Sequence, residues 1–74
     1  MYTHVDIKWA DNGEIWENQI IKANDEFDPL DDEIFFYGLS REELLECCKN
    51  GELCEGEWRV VSVGRTSDCI GDLI

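Results

Sequence analysis

The chain has 74 residues, an apolar fraction of 43% and 18 acidic against six basic residues, which gives a net charge of −12. This length allows one domain with a single core, and the apolar fraction is too high for a disordered tail. The charge argues against direct binding of DNA, RNA or anionic lipid, because phosphate binding needs clustered lysine and arginine. The possibilities that remain are a protein partner with a basic surface, a metal cation, or no specific partner.

The N-terminal stretch MYTHVDIKWADNGE has neither the basic start nor the apolar segment of a signal peptide. No apolar run approaches the about 20 residues that a membrane-spanning helix needs. We therefore expect a cytoplasmic protein, in which the four cysteines are reduced thiols.

The first predicted element is a β-hairpin. Residues 3–9 alternate between apolar and polar with the period of a strand. Asn12-Gly13 is typical of a two-residue type I′ turn, which places Trp9 directly opposite Trp16. The same register gives the pairs Lys8–Glu17, Ile7–Asn18, Val5–Ile20 and His4–Ile21. The two indoles then either cap one end of the core or form the apolar anchor of a protein interface.

An acidic loop and a third strand follow. Residues 24–33, NDEFDPLDDE, contain six carboxylates, the only proline and no basic residue. We predict a loop whose acids face water and whose Phe27 and Leu30 pack inward. Residues 33–39, EIFFYGL, are rich in aromatic residues and predict a strand.

The next segment has the start and stop signals of a helix over residues 41–49. Ser40 and Glu43 form a capping box, and Asn50-Gly51 supplies the left-handed stop.

Residues 57–65 predict a fourth strand, with Val61 and Val63 on one face and Trp58 and Val60 on the other. The tail, residues 66–74, either adds a fifth strand at the sheet edge or packs loosely. The order β-β-β-α-β predicts an α+β fold, a small antiparallel sheet with one short helix packed on a face.

Few side chains point to catalysis, a metal or a cofactor. The four cysteines lack the C-x-x-C spacing of zinc sites, so we interpret them as small buried hydrophobes. Cys54, in the turn after the helix, is expected to be the most reactive of them. His4, the single histidine, lies on the polar face of the first strand, and the sequence shows no Ser-His or Cys-His arrangement that would make it a general base. We expect no enzyme and no cofactor, and a small metal or redox protein is a third class of function.

The acidic loop also lacks the spacing of a calcium site. An EF-hand loop requires D-x-[DN]-x-[DN]-G and a closing glutamate, and Pro29 breaks the turn that this spacing needs. A solvated loop is the simpler interpretation.

The charge density itself indicates a function. A compact chain of this length is about 29 Å across, and a DNA duplex carries about 17 charges over that distance. The chain offers 18 carboxylates over a similar span. In size, acidity and lack of catalytic residues it resembles the small phage-encoded inhibitors of bacterial defence nucleases, which include anti-CRISPR proteins and DNA mimics. This resemblance implies an inhibitor that occupies a basic groove.

The leading hypothesis is therefore a non-enzymatic inhibitor of a nucleic-acid-handling complex. The candidate partner-binding residues are Asp25, Glu26, Asp28, Asp31, Asp32 and Glu33 in the loop, with Asp11 and Glu14 at the hairpin tip. Each carboxylate would accept hydrogen bonds from arginine or lysine of the partner. The alternative is an interaction or structural module that acts through a sheet edge or an apolar patch, and whose acidity serves only solubility.

Overall fold

The computed structural model describes all 74 residues as one five-stranded sheet, one α-helix and one short 3-10 helix. The elements are β1 (Tyr2–Trp9), β2 (Ile15–Lys22), β3 (Ile34–Tyr37), α1 (Arg41–Asn50), β4 (Leu53–Cys54), β5 (Trp58–Ser67) and a 3-10 helix (Ile70–Asp72). The strand order in the sheet is β3-β2-β1-β5-β4. The predicted α+β class is confirmed.

The sheet is mixed and not wholly antiparallel as predicted, because one of its four pairings is parallel. β1–β2, β1–β5 and β4–β5 are antiparallel, whereas β3 runs parallel to β2, with Ile20 beside Ile34 and Lys22 beside Tyr37. Residues 23–33 carry the chain back along β2 before β3 begins, so the two strands share a direction. The fifth strand is β4, directly after the helix, and not the tail.

The β1–β2 turn differs from the predicted two-residue type I′ turn. The Trp9 amide donates to the Glu14 carbonyl at 2.9 Å, and the Gly13 amide donates to the Trp9 carbonyl at 3.0 Å. Residues 10–13 therefore lie between the hydrogen-bonded residues Trp9 and Glu14, and of the Asn12-Gly13 pair only Gly13 has a positive φ, of 73°.

A β-bulge moves the register further. Asp6 lies opposite two residues of β2, and one of them, Asn18, has a φ of 58°. The Asn18 amide donates to the Asp6 carboxylate at 2.9 Å. Below the bulge His4 pairs with Ile20, and above it Ile7 pairs with Trp16. The predicted pairs, Trp9–Trp16 included, are therefore wrong by one or two residues.

The core lies between the sheet and α1. Its buried members are Val5, Ile7, Ile21, Leu44, Cys54, Trp58 and Val60. In β5 a second bulge makes Val61 an extra residue, since Ile7 pairs with Val60 and Asp6 with Ser62. Val61 is exposed, and Val63 packs against the core instead. The predicted alternation of valines in this strand is therefore wrong.

The helix forms as predicted. The Glu43 amide donates to the Ser40 hydroxyl, the Ser40 amide donates to the Glu43 carboxylate, and Gly51 ends the helix in the left-handed conformation. The Arg41 guanidinium donates to the Gly64 carbonyl and to the Thr66 hydroxyl, which ties the first turn of α1 to β5. This ten-residue helix is the longest in the chain, and it is too short to cross a membrane.

The tail covers the sheet face opposite α1. Ile20 and Leu73 are both buried, and they line the same groove of that face with Ile74. The sheet therefore has a second, smaller apolar layer formed by the C-terminal 3-10 segment.

Candidate functional site: the acidic loop and its surroundings

Local hydrogen bonds fold the acidic loop, residues 24–33, into successive turns. The Asn24 side chain accepts from the Glu26 amide at 3.1 Å, and the Asp28 carboxylate accepts from the Leu30 amide at 3.0 Å. The Asp31 amide donates to the Asp28 carbonyl at 2.9 Å. Side chains that bond the backbone two residues later are typical of Asn and Asp in turns.

Asp31 fastens this loop to the sheet. Its carboxylate accepts from Lys22 Nζ at 2.9 Å and from the Tyr2 hydroxyl at 3.4 Å. The Lys22 ammonium also lies 5.6 Å from the Tyr2 ring centre and 5.9 Å from that of Tyr37. The hydrogen bond to Asp31 raises the pKa of Lys22. Because the Asp31 side chain is only 8% exposed, it holds the loop and does not present its charge to a partner.

The other loop carboxylates face solvent to different degrees. Asp25, Glu26, Asp32 and Glu33 are exposed, and Asp28 is half-buried. Asp25 also covers the end of β3, where Gly38 has a φ of 107° and a Cβ would lie 2.6 Å from the Asp25 carboxylate. Four of the six candidate loop acids are thus exposed to solvent.

Two apolar side chains of the loop point outward. Phe27 is 74% exposed and Leu30 is 88% exposed, so the prediction that they pack inward is wrong. Phe27 rests edge-to-face against Tyr37, with 6.0 Å between the ring centres.

The hairpin-tip acids lie far from the Asp31 clamp. Asp11 and Glu14 are both exposed, and the Asn12 side chain bonds both the amide and the carboxylate of Glu14. Asp11 lines a cleft of about 430 Å³ with Glu57. Asp31 contacts the opposite end of β2, which is about 23 Å away at about 3.3 Å per residue. The structure therefore separates the two predicted patches.

A third acidic surface was not predicted. It follows α1 and the β4 region, which contain six exposed carboxylates and only one lysine, Lys49. The six carboxylates are Glu42, Glu43, Glu46, Glu52, Glu55 and Glu57. The net charge of residues 42–57 taken as one segment is the signal that would have identified it.

Most basic residues lie on the other side of the sheet. Lys8 and Arg59 are neighbours in the register of β1 and β5, and Lys22 and Tyr2 are neighbours in the register of β2 and β1. Arg65 lines the groove that contains His4. The α1 side keeps Lys49 and Arg41, and Arg41 is bound to β5. The glutamates along α1 therefore have few opposing charges.

The tryptophans meet although the predicted register is wrong. The ring centres of Trp9 and Trp16 are 5.1 Å apart in an edge-to-face contact, and Phe35 packs against both at 6.1 and 6.0 Å. Trp9 is half-buried, and Trp16 is 40% exposed. Trp9 thus caps the core, and Trp16 forms the outer rim of the same cluster.

The exposure of the cysteines differs from the expectation that Cys54 is the most reactive of them. Cys54 is buried, and this burial raises its pKa to about 12, with a further contribution from Cys47. Since the thiolate is the reactive form, the prediction that Cys54 is the most reactive cysteine is wrong. Cys69 is the exposed one. No three histidine, cysteine or carboxylate side chains converge in a way that could hold a metal ion.

Comparisons with other proteins add no assignment. Neither a protein family, nor a curated protein, nor a solved structure matches this chain.

Proposed function

We propose that the protein is a non-enzymatic inhibitor that places its carboxylates in the basic groove of a nucleic-acid-handling complex in the cytoplasm. The observation that supports this most is the density of surface charge. The molecule measures 30 × 22 × 20 Å and carries 18 carboxylates, of which only Asp31 is buried. A duplex of the same length carries about 18 phosphate charges, at about 1.7 Å per charge.

The contact would centre on the exposed loop acids. Asp25, Glu26, Asp32 and Glu33 would accept charge-assisted hydrogen bonds from arginine and lysine, with Asp28 at the margin. Asp31 would act indirectly, because its ion pair with Lys22 fixes the loop. Asp11 and Glu14 would form a second contact at the other end of β2.

The alternative is an interaction module whose acidity serves solubility. Its supporting observations are the exposed Trp16 rim and the position of β3 at the edge of the sheet, where one side of the strand has no neighbouring strand. Such a module would bind in high salt and fail when Trp16 is replaced, which the inhibitor would not do.

The test is affinity capture from a bacterial lysate. Wild-type protein is compared with a variant in which Asp25, Glu26, Asp32 and Glu33 become Asn or Gln. A matched control neutralises four α1-side glutamates instead, namely Glu46, Glu52, Glu55 and Glu57. Wild type and control are expected to retain the same nucleic-acid-binding protein, and the loop variant is expected to lose it. Capture of that protein by the loop variant as well would contradict the proposal.

A further inference from the structure

We infer that the acidic loop carries an apolar anchor, formed by Phe27 and Leu30, and that its partner presents an amphipathic basic helix with an apolar stripe bordered by lysine or arginine. This inference rests on the proposed function, because the same loop makes the contact. It adds the chemistry of the partner surface, which the charge alone does not specify.

The first support is the exposure of both side chains in a well-bonded loop. Phe27 is 74% exposed and Leu30 is 88% exposed, higher fractions than those of Trp16 or Ile15. Protein interfaces place large apolar side chains at their centre and polar groups at their rim, and Phe27 and Leu30 among carboxylates have that composition. The Asp28 carboxylate accepts from the Leu30 amide and Asp31 is held by Lys22, so the backbone that carries Leu30 is fixed with its side chain in solvent.

The second support is the charge around the two side chains. Acidic residues flank them in sequence on both sides, and no basic residue occurs in residues 24–33. A surface that covers Phe27 and Leu30 must therefore place cations next to apolar groups. An acidic or uncharged apolar partner would leave the carboxylates desolvated without a counterion.

An amphipathic basic helix meets both requirements. Its leucine-type residues at three- and four-residue spacing form a continuous stripe, and lysines at the border of the stripe reach outward. Phe27 and Leu30 are three residues apart and could rest on that stripe while the neighbouring acids pair with the lysines. A bare phosphate-binding groove would leave the two apolar side chains without a contact.

The probe is a short synthetic helix of leucine and lysine with one apolar face, compared with a peptide in which serine replaces every leucine. Each is titrated into the isotopically labelled full chain, and amide shifts are followed by NMR. We expect the leucine peptide to bind more tightly, with the shifts concentrated in residues 24–33 and Tyr37. The Phe27→Ser/Leu30→Ser variant should lose about tenfold in affinity, as expected when anchor residues are truncated.

The matched control is Leu45→Ser/Leu53→Ser, which removes two exposed leucines, one in α1 and one in β4, without changing the charge. It should bind like wild type. Because Phe27 and Leu30 are exposed, their double variant should keep the wild-type unfolding midpoint, which excludes misfolding. Equal binding of the two peptides, an unchanged affinity of the Phe27/Leu30 variant, or shifts centred on α1 would each overturn the anchor. Those outcomes leave the result of the lysate capture intact, so the two proposals fail separately.

Discussion

Asp6 and Asn18 together set the register of the first hairpin. Asn18 adopts a left-handed conformation, which asparagine tolerates better than most residues, and its amide is held by the Asp6 carboxylate. The Ser62 hydroxyl donates to the same carboxylate at 2.8 Å. One half-buried aspartate therefore links β1 to both of its neighbouring strands.

Replacing Asn18 tests how much its left-handed backbone conformation contributes to stability. Asn18→Ala should lower the free energy of unfolding by about 1 kcal/mol, because a Cβ without a local hydrogen-bonding group is disfavoured in the left-handed region. Asn18→Gly should unfold close to wild type. Urea unfolding of the three proteins measures the difference, and an alanine variant as stable as the glycine variant would contradict it.

The Asp6 carboxylate should also appear in the pH dependence of stability. Hydrogen bonds from the Asn18 amide and then from the Ser62 hydroxyl lower the pKa of Asp6 below its usual 3.8. Its stabilisation is therefore present above pH 3.8 and is lost as the pH falls through the lowered folded-state pKa. The stability gap between wild type and Asp6→Asn should narrow in that acidic range. A gap that stays constant with pH would show that ionisation of Asp6 plays no part.

Asp31 has a structural role that can be measured directly. Asp31→Asn removes the counterion of Lys22 and should lower the unfolding midpoint and speed proteolytic cleavage within residues 23–33. Asp32→Asn removes the same charge from an exposed neighbour and serves as the control. Equal cleavage of the two variants would show that the ion pair does not hold the loop.

Among the elements, α1 is the one that the sequence specifies most fully. Its capping box and its glycine stop depend only on residues within one or two turns of the helix ends. Both helix ends could therefore be predicted from the local sequence. The strand register could not be predicted in the same way, because the bulges at Asn18 and Val61 depend on neighbouring strands. An Asn-Gly pair predicts a turn, but its two-residue form competes with a longer connection once the bulge has shifted the strand.

The helix cap gives a quantitative test at this scale. Ser40→Ala removes the hydroxyl that accepts from the Glu43 amide, and it should cost about 1 kcal/mol. For a domain of this size the unfolding midpoint should fall by about 4–8 °C. Thermal unfolding followed by circular dichroism measures this shift, and an unchanged midpoint would mean that the capping box contributes nothing.

The acidic loop shows why part of the candidate site could not be predicted. Its composition indicated exposed acids, which holds for Asp25 and Glu26, but Asp31 is buried in an ion pair with Lys22 at the end of β2. Phe27 and Leu30 of the same loop point outward, against the expectation from hydrophobicity alone. The parallel course of β3 likewise follows from where the loop returns to the sheet, which no local pattern encodes.

At the scale of the whole molecule, the net charge of −12 opposes folding. All but three of the 18 carboxylates are exposed, and they repel one another over distances within the Debye length, about 30 Å at 0.01 M salt and about 8 Å at 0.15 M. Added salt should therefore raise the unfolding midpoint. Thermal unfolding in low and physiological sodium chloride tests this, and a midpoint that falls with salt would indicate that attractive ion pairs dominate instead.

The same charge is the basis of the proposed inhibition, and competition with nucleic acid tests it most directly. A labelled duplex is bound to the captured partner, and its displacement by wild type and by the loop-neutralised variant is followed as salt increases. We predict that wild type displaces the duplex, that its potency falls steeply with salt, and that the loop variant displaces it poorly. Displacement that is insensitive to salt, or equal for the two proteins, would contradict the proposal that loop carboxylates occupy the basic groove.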